Sequence, residues 1–135
     1  MKVRRGTTRT VILTKKYAIK IARFWHSMKG HRWKMFLRGI LANIDEKFWW
    51  KCEYKREKLC PVVWKSPLGV ILVMKKATPL KESEYDKDAF ACTFENLSLD
   101  NKIENFGKIE NKVVLVDYAD SRYMCSDCSN CFKNR

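Results

Sequence analysis

At 135 residues the chain is long enough for one domain with a real core and short for two. Hydrophobic residues make up 46% and aromatics 13%, which excludes a disordered chain, and no run of 18 apolar residues offers a membrane-spanning helix. The formal net charge is +13, and residues 1–58 carry all of that excess, with 17 Lys and Arg against 4 Asp and Glu. Such an asymmetry fits an anionic partner (nucleic acid, nucleotide phosphate or an acidic protein surface) as well as a solvated lysine-rich face.

The N-terminus, MKVRRGTTRTVILTKK, is too charged and too briefly apolar for a signal peptide. The reading is therefore a soluble protein of the cytoplasm, with no membrane partner. The six cysteines are then expected as reduced thiols.

Residues 3–23 predict a hairpin, with a β-branched strand over Thr7 to Thr14, a turn at Lys15-Lys16 and an alternating strand from Tyr17 to Ile21. Ala18, Lys20 and Ala22 share one face of that strand. Lys20 either snorkels to solvent or serves as a point charge for phosphate. Residues 24–33 read as an exposed connection, and His26 and His31 as surface histidines.

From Arg32 to Glu57 runs the longest helical pattern. Leu37, Leu41, Ile44 and Phe48 recur at helical spacing and are expected to form the buried stripe. Gly39, Ala42, Asn43, Glu46 and Trp50 line a neighbouring face on which another surface can approach closely. At the basic end, Trp49, Trp50 and Tyr54 interleave with Lys47, Lys51, Lys55 and Arg56. Aromatics among cations can stack on bases and neutralise phosphates, or serve as core.

Two strands follow, CPVVW and GVILVM, split by a turn at Ser66-Pro67-Leu68-Gly69. The second is apolar enough to be a central strand, and the chain is expected to leave the sheet at a hinge near Pro79. Residues 81–99 are acidic, with room for about two short helical turns. Asp100, Lys102 and Asn105 then lie in a polar loop. A turn is expected at Phe106-Gly107, then a short strand pair ending on Asp117. The tail carries Cys125, Cys128 and Cys131, a spacing used by soft metals. No nearby histidine completes a zinc site, so the tail reads as free thiols and residues 121–135 as an appendage to a domain of residues 1–120.

The order of these pieces resembles the protein-kinase fold. The stretch AIKIAR is similar to its lysine strand, Asp100, Lys102 and Asn105 fit its D-x-K-x-x-N loop, and Asp117-Tyr118-Ala119 stands at its D-F-G position. GTTRTVILTKKYAIK, LRGILANIDE, LCPVVWKSPLGVILVM and KIENFG…VLVDY also resemble small kinase-like proteins of viruses and mobile elements. The resemblance implies an α+β fold: a small lobe of about five antiparallel strands plus one long helix, with a truncated large lobe. It further implies a site for ATP and magnesium. Lys20 would contact phosphate and pair with Glu46 (Asp45 being the competitor), Asp100 and Lys102 would be catalytic, and Asn105 and Asp117 would hold the metal.

Ser98-Leu99 replace the family's His-Arg, Ala119 replaces its glycine, and Gly6 alone stands for its glycine-rich loop. Slow self-phosphorylation or nucleotide hydrolysis is the most that follows, and a nucleotide- and magnesium-binding or degenerate, pseudokinase-like module is the expectation. The alternative is a basic binding module acting on nucleic acid or a host protein through Lys51, Lys55 and Arg56, such as an inhibitor of host defence of the anti-CRISPR kind.

Overall fold

The computed structural model describes residues 1–6, 8–24, 32–51, 53–93 and 102–118. Its first half is a five-stranded antiparallel sheet crossed by one long helix. The strands are β1 (Lys2–Arg5), β2 (Arg9–Leu13), β3 (Tyr17–Ala22), β4 (Val62–Lys65) and β5 (Ile71–Lys75), in spatial order β1-β2-β3-β5-β4. Helix α1 (Arg32–Lys51) connects β3 to β4. The α+β class with five strands and one long helix is therefore as expected.

The expected first hairpin is a three-stranded meander, because Gly6 turns the chain back at once. Its N–H donates to the Arg9 carbonyl at 2.8 Å, which separates Lys2–Arg5 from Arg9–Leu13. The Lys15-Lys16 turn is where it was expected, closed by Thr14, whose N–H donates to the Tyr17 carbonyl at 2.9 Å. GVILVM does lie inside the sheet, between β3 and β4.

The helix differs from its sequence reading in length and in orientation. It ends at Lys51, and a 3-10 segment over Glu53–Lys58 follows. Arg56 folds back there, its Nε donating to the Trp50 carbonyl at 2.9 Å and its guanidinium lying 5.0 Å from the Trp50 ring centre. A cation on the last carbonyls satisfies acceptors that the helix itself leaves open. The stripe of Leu37, Leu41 and Ile44 is exposed, and Asn43 and Glu46 are wholly buried against the sheet.

Gly39 makes that contact possible. A Cβ there would stand 2.5 Å from the Thr8 carbonyl oxygen and 3.0 Å from Ala22, so only a glycine lets α1 come down onto β3. Gly69 ends the β4–β5 turn at φ 81°, a left-handed conformation that costs other residues energy.

Past β5 the chain enters a second, three-stranded antiparallel sheet: β6 (Thr78–Pro79), β7 (Phe106–Ile109) and β8 (Lys112–Leu115), in that order. A short helix, α2 (Lys87–Thr93), lies between β6 and β7 in sequence. Phe106-Gly107, expected as a turn, begins β7; the turn is Glu110-Asn111, with φ of 51° and 65°. Two successive left-handed residues make the turn whose twist suits a tight hairpin. The shared core joins Trp49, Leu72 and Met74 to Leu115, Phe106 and Tyr118. Across it, the Cys60 N–H donates to the Leu115 carbonyl at 2.9 Å and the Tyr118 hydroxyl donates to the Cys60 carbonyl at 2.9 Å. No helix among the described residues is long and apolar enough to cross a membrane.

Candidate functional site

The register of the first sheet decides which charges reach the helix. Val11 pairs with Lys20 and Arg9 with Ala22, so Arg9, Lys20 and Ala22 project from the same face. Ala18 and Ala22 flank Lys20 on that face, and their small side chains leave room for α1. Two cations and a small-residue strand thus meet the polar side of the helix.

Glu46 receives both cations. Lys20 Nζ donates to its two carboxylate oxygens at 3.0 and 2.9 Å, and Arg9 Nη1 donates to Oε1 at 2.9 Å. The helix acid beside Lys20 is therefore Glu46 rather than Asp45. The second sheet supplies the rest. Lys20 Nζ also donates to the Val116 carbonyl at 2.8 Å, Arg9 Nη2 donates to Asp117 Oδ1 at 2.9 Å, and Lys20 Nζ stands 4.0 Å from that same oxygen. Two cations face two carboxylates, so the ionised site is neutral as a whole.

Asn43 fixes the height of the helix over the sheet. Its amide nitrogen donates to the Gly69 carbonyl at 2.8 Å and the Val70 carbonyl at 3.2 Å, and its oxygen accepts from Arg9 Nη1 at 3.2 Å. A buried amide so used leaves little capacity unspent. Mid-helix asparagine is a weak helix former, and here tertiary partners override that preference.

Burial and pairing act against each other on Glu46, Asp117 and Arg9. Burial pushes the Glu46 carboxyl up, and Arg9 and Lys20 only partly draw it back, so it stays raised. Burial also works to raise Asp117, but Lys20 and Arg9 outweigh it and hold this carboxyl well below the usual range. Asp117 is the one member open to solvent, with half of its side chain accessible, against a tenth or less for Arg9, Lys20 and Glu46. Arg9 is likewise raised, because its two carboxylates overcome the desolvation that opposes its charge. Below the site the Cys60 thiol is pushed up to about 11 by burial, which leaves it protonated at neutral pH.

Lys20, Glu46 and Asp117 are thus brought together. Asn105 adjoins them through the backbone, where the Val116 N–H donates to its carbonyl at 2.8 Å, one residue before Asp117 and just past β8. Lys102 is exposed at the start of the 3-10 turn Ile103–Asn105. Asp100 lies outside the described residues, as do His26, His31, Cys125, Cys128 and Cys131. Of the basic trio, Lys51 is exposed at the helix end and Arg56 caps that end; the Lys55 side chain is outside the described set. Lys51, Lys65 and Arg56 together lower the pKa of Lys47, after burial, so positive charge is concentrated there. Among the described residues no group of three or more His, Cys, Asp or Glu could hold a metal.

Sequence reasoning missed Arg9, and it placed Asn43 on the close-approach face beside Glu46 without giving it a role. The register could have found Arg9, which lies on the Lys20 face once β2 and β3 are paired. Asn43 carried a fainter signal, a polar residue one turn before Glu46. The fold and site define an α+β protein with a four-charge cluster, buried except at Asp117, where its two sheets meet the helix. No protein-family model, curated protein or solved structure matches the chain significantly.

Proposed function

We propose that the chain is a degenerate, pseudokinase-like module of the viral or mobile-element type: a kinase-like small lobe that works by binding rather than by phosphoryl transfer. The observation that carries this reading is the contact of Arg9 Nη2 with Asp117 Oδ1 at 2.9 Å, beside the Lys20–Glu46 pair. The Lys20–Glu46 pair, with Asp117 beside it, supports the nucleotide-site reading that the resemblance implies. Arg9 occupies the cation position that magnesium would need at Asp117. A divalent ion at Asp117 Oδ1 would stand beside a guanidinium and an ammonium, and such like charges repel. The arrangement as it stands does not fit the metal, and no catalytic step is routed through Asn105 and Asp117.

Spacing supports the same conclusion. From β6 (Thr78–Pro79) through α2 (Lys87–Thr93) the described residues hold only a 3-10 turn and that short helix, with no long helix to position an acceptor hydroxyl. Positioning provides most of the rate in phosphoryl transfer. Any ATP bound would meet Lys20 and Arg9 as fixed cations, without turnover. Labelled ATP supplied to the wild type and to Asp117→Ala tests this. Background transfer in both is expected; robust transfer to a protein substrate, abolished in the variant, would restore an enzyme.

The second reading, a basic module acting on nucleic acid or a host protein, is favoured by the cations around Lys47, Lys51, Arg56 and Lys65. Binding through them would weaken steeply with salt, as counterions are released from a polyanion.

A further inference from the structure

The exposed face of α1 has a composition that neither reading of the charged site uses. Trp33, Leu37, Leu41 and Ile44 are 66%, 53%, 55% and 39% exposed, and they lie on one side of the helix at i, i+4, i+8 and i+11. At about 1.5 Å per residue they form a ridge about 16 Å long, three turns of helix. Among the described side chains of the same helix, the other exposed ones are Lys34, Arg38 and Lys51, all cations. Asp45, which the wheel places beside them, is buried. The face therefore combines four large apolar side chains with three positive charges and presents no carboxylate.

One end of the ridge is held in place. Trp33 packs edge-on against Phe24 with centroids 5.2 Å apart, and Phe36 joins both rings at 5.6 and 6.1 Å. An aromatic already ordered before binding loses little freedom on contact. Solvent-facing apolar residues in such a continuous row mark interaction surfaces when they are not scattered singly.

We infer that this face docks an amphipathic helix of a partner protein whose apolar stripe is flanked by Asp and Glu. Charge selects the partner. Acidic flanks would meet Lys34, Arg38 and Lys51, while the apolar stripe would pack on Leu37, Leu41 and Ile44 as one helix packs on another. A second copy is disfavoured by the same charges, because two such faces laid together would set three cations against three. Nucleic acid would use the cations and leave the leucines wet.

The test is a fluorescein-labelled amphipathic peptide of about five helical turns, with a leucine stripe and glutamate flanks. A second peptide differs only in carrying lysine flanks. Anisotropy should show the acidic peptide binding and the basic one at least about tenfold weaker. Leu37→Ser with Leu41→Ser, and separately Lys34→Glu with Arg38→Glu, should each weaken the acidic peptide by about tenfold or more. Lys15→Glu with Lys16→Glu, on the β2–β3 turn, should leave it unchanged. Circular dichroism establishes that each variant is folded, and amide shifts should map to the exposed side of α1. The inference is overturned by no binding at about millimolar peptide, by equal binding of both peptides, or by insensitivity to the leucine pair. A concentration-dependent dimer abolished by the leucine pair would instead give the face to a second copy. Tighter binding of an oligonucleotide on the same amides would give it to nucleic acid.

Discussion

The two faces of α1 invert the usual arrangement of an amphipathic helix. Its inner face carries Gly39, Asn43 and Glu46 against the sheet, and its outer face carries Trp33, Leu37, Leu41 and Ile44 into solvent. Burying a carboxylate costs several kcal/mol unless good partners meet it, and Arg9 and Lys20 do so here through three contacts of 3.0 Å or less. Exposing three aliphatic side chains forfeits about 1.5–3 kcal/mol each relative to full burial. The difference teaches that helical periodicity groups residues by face, while the direction of each face is set by what the rest of the chain brings to it.

The contrast is easiest to break from the inner face. Glu46→Ala leaves Arg9 sharing Asp117 and Lys20 buried with little to pair, and it should cost about 3–5 kcal/mol in urea unfolding. Glu46→Leu combined with Lys20→Met should recover much of that loss, because a buried pair replaced by apolar volume is often neutral. A double variant no more stable than either single one would contradict the pairing.

Smaller effects follow at the two positions that set the helix height. Gly39→Ala places a methyl against the Thr8 carbonyl, and either the helix lifts or the backbone shifts, at about 1–3 kcal/mol. Asn43→Ala strands the Gly69 carbonyl, leaves the Val70 carbonyl with the Ala22 N–H alone, and should cost about 1–3 kcal/mol. Wild-type stability in either variant would mean that the helix does not sit on the sheet as described.

Acid sharpens the comparison further. The folded-state pKa of Asp117 lies below its unfolded value, so its contribution to stability is fully present above the ordinary carboxylate pKa. It falls away as pH drops through the depressed folded value. Asp117→Asn should therefore flatten the acid limb of stability against pH and leave the neutral limb parallel to wild type. An unchanged acid limb would show that Asp117 is not held by Arg9 and Lys20 in solution.

The outer face should give the smallest effect. Leu37→Ser and Leu41→Ser are expected to change stability by no more than about 0.5 kcal/mol, although leucine to serine in a helix reads as a core deletion on sequence alone. Losses of about 2 kcal/mol or more would mean that these side chains are buried and that the helix is turned the other way.

Much of this was legible in the chain. Alternation over Tyr17 to Ile21 located β3 and the Lys20 face, VILVM announced an interior strand, and the long periodic run gave α1 to within two turns. The orientation of α1 was not legible, because Leu37, Leu41 and Ile44 score as core wherever partners are unknown. Its polar face is explained by Arg9, which lies 37 residues away in sequence and whose role emerges only from strand register. The turn was misplaced because Phe106-Gly107 has a turn-like glycine, whereas Glu110-Asn111 adopts left-handed φ without one.

The metal dependence of nucleotide binding tests the central claim most directly, that Arg9 stands where a cation would be needed at Asp117. Calorimetric titration of ATP into the wild-type protein, once with excess magnesium and once with EDTA, compares the two conditions. The account predicts the same weak or absent binding in both. Binding that tightens tenfold or more with magnesium, and loses that gain in Asp117→Ala, would contradict it.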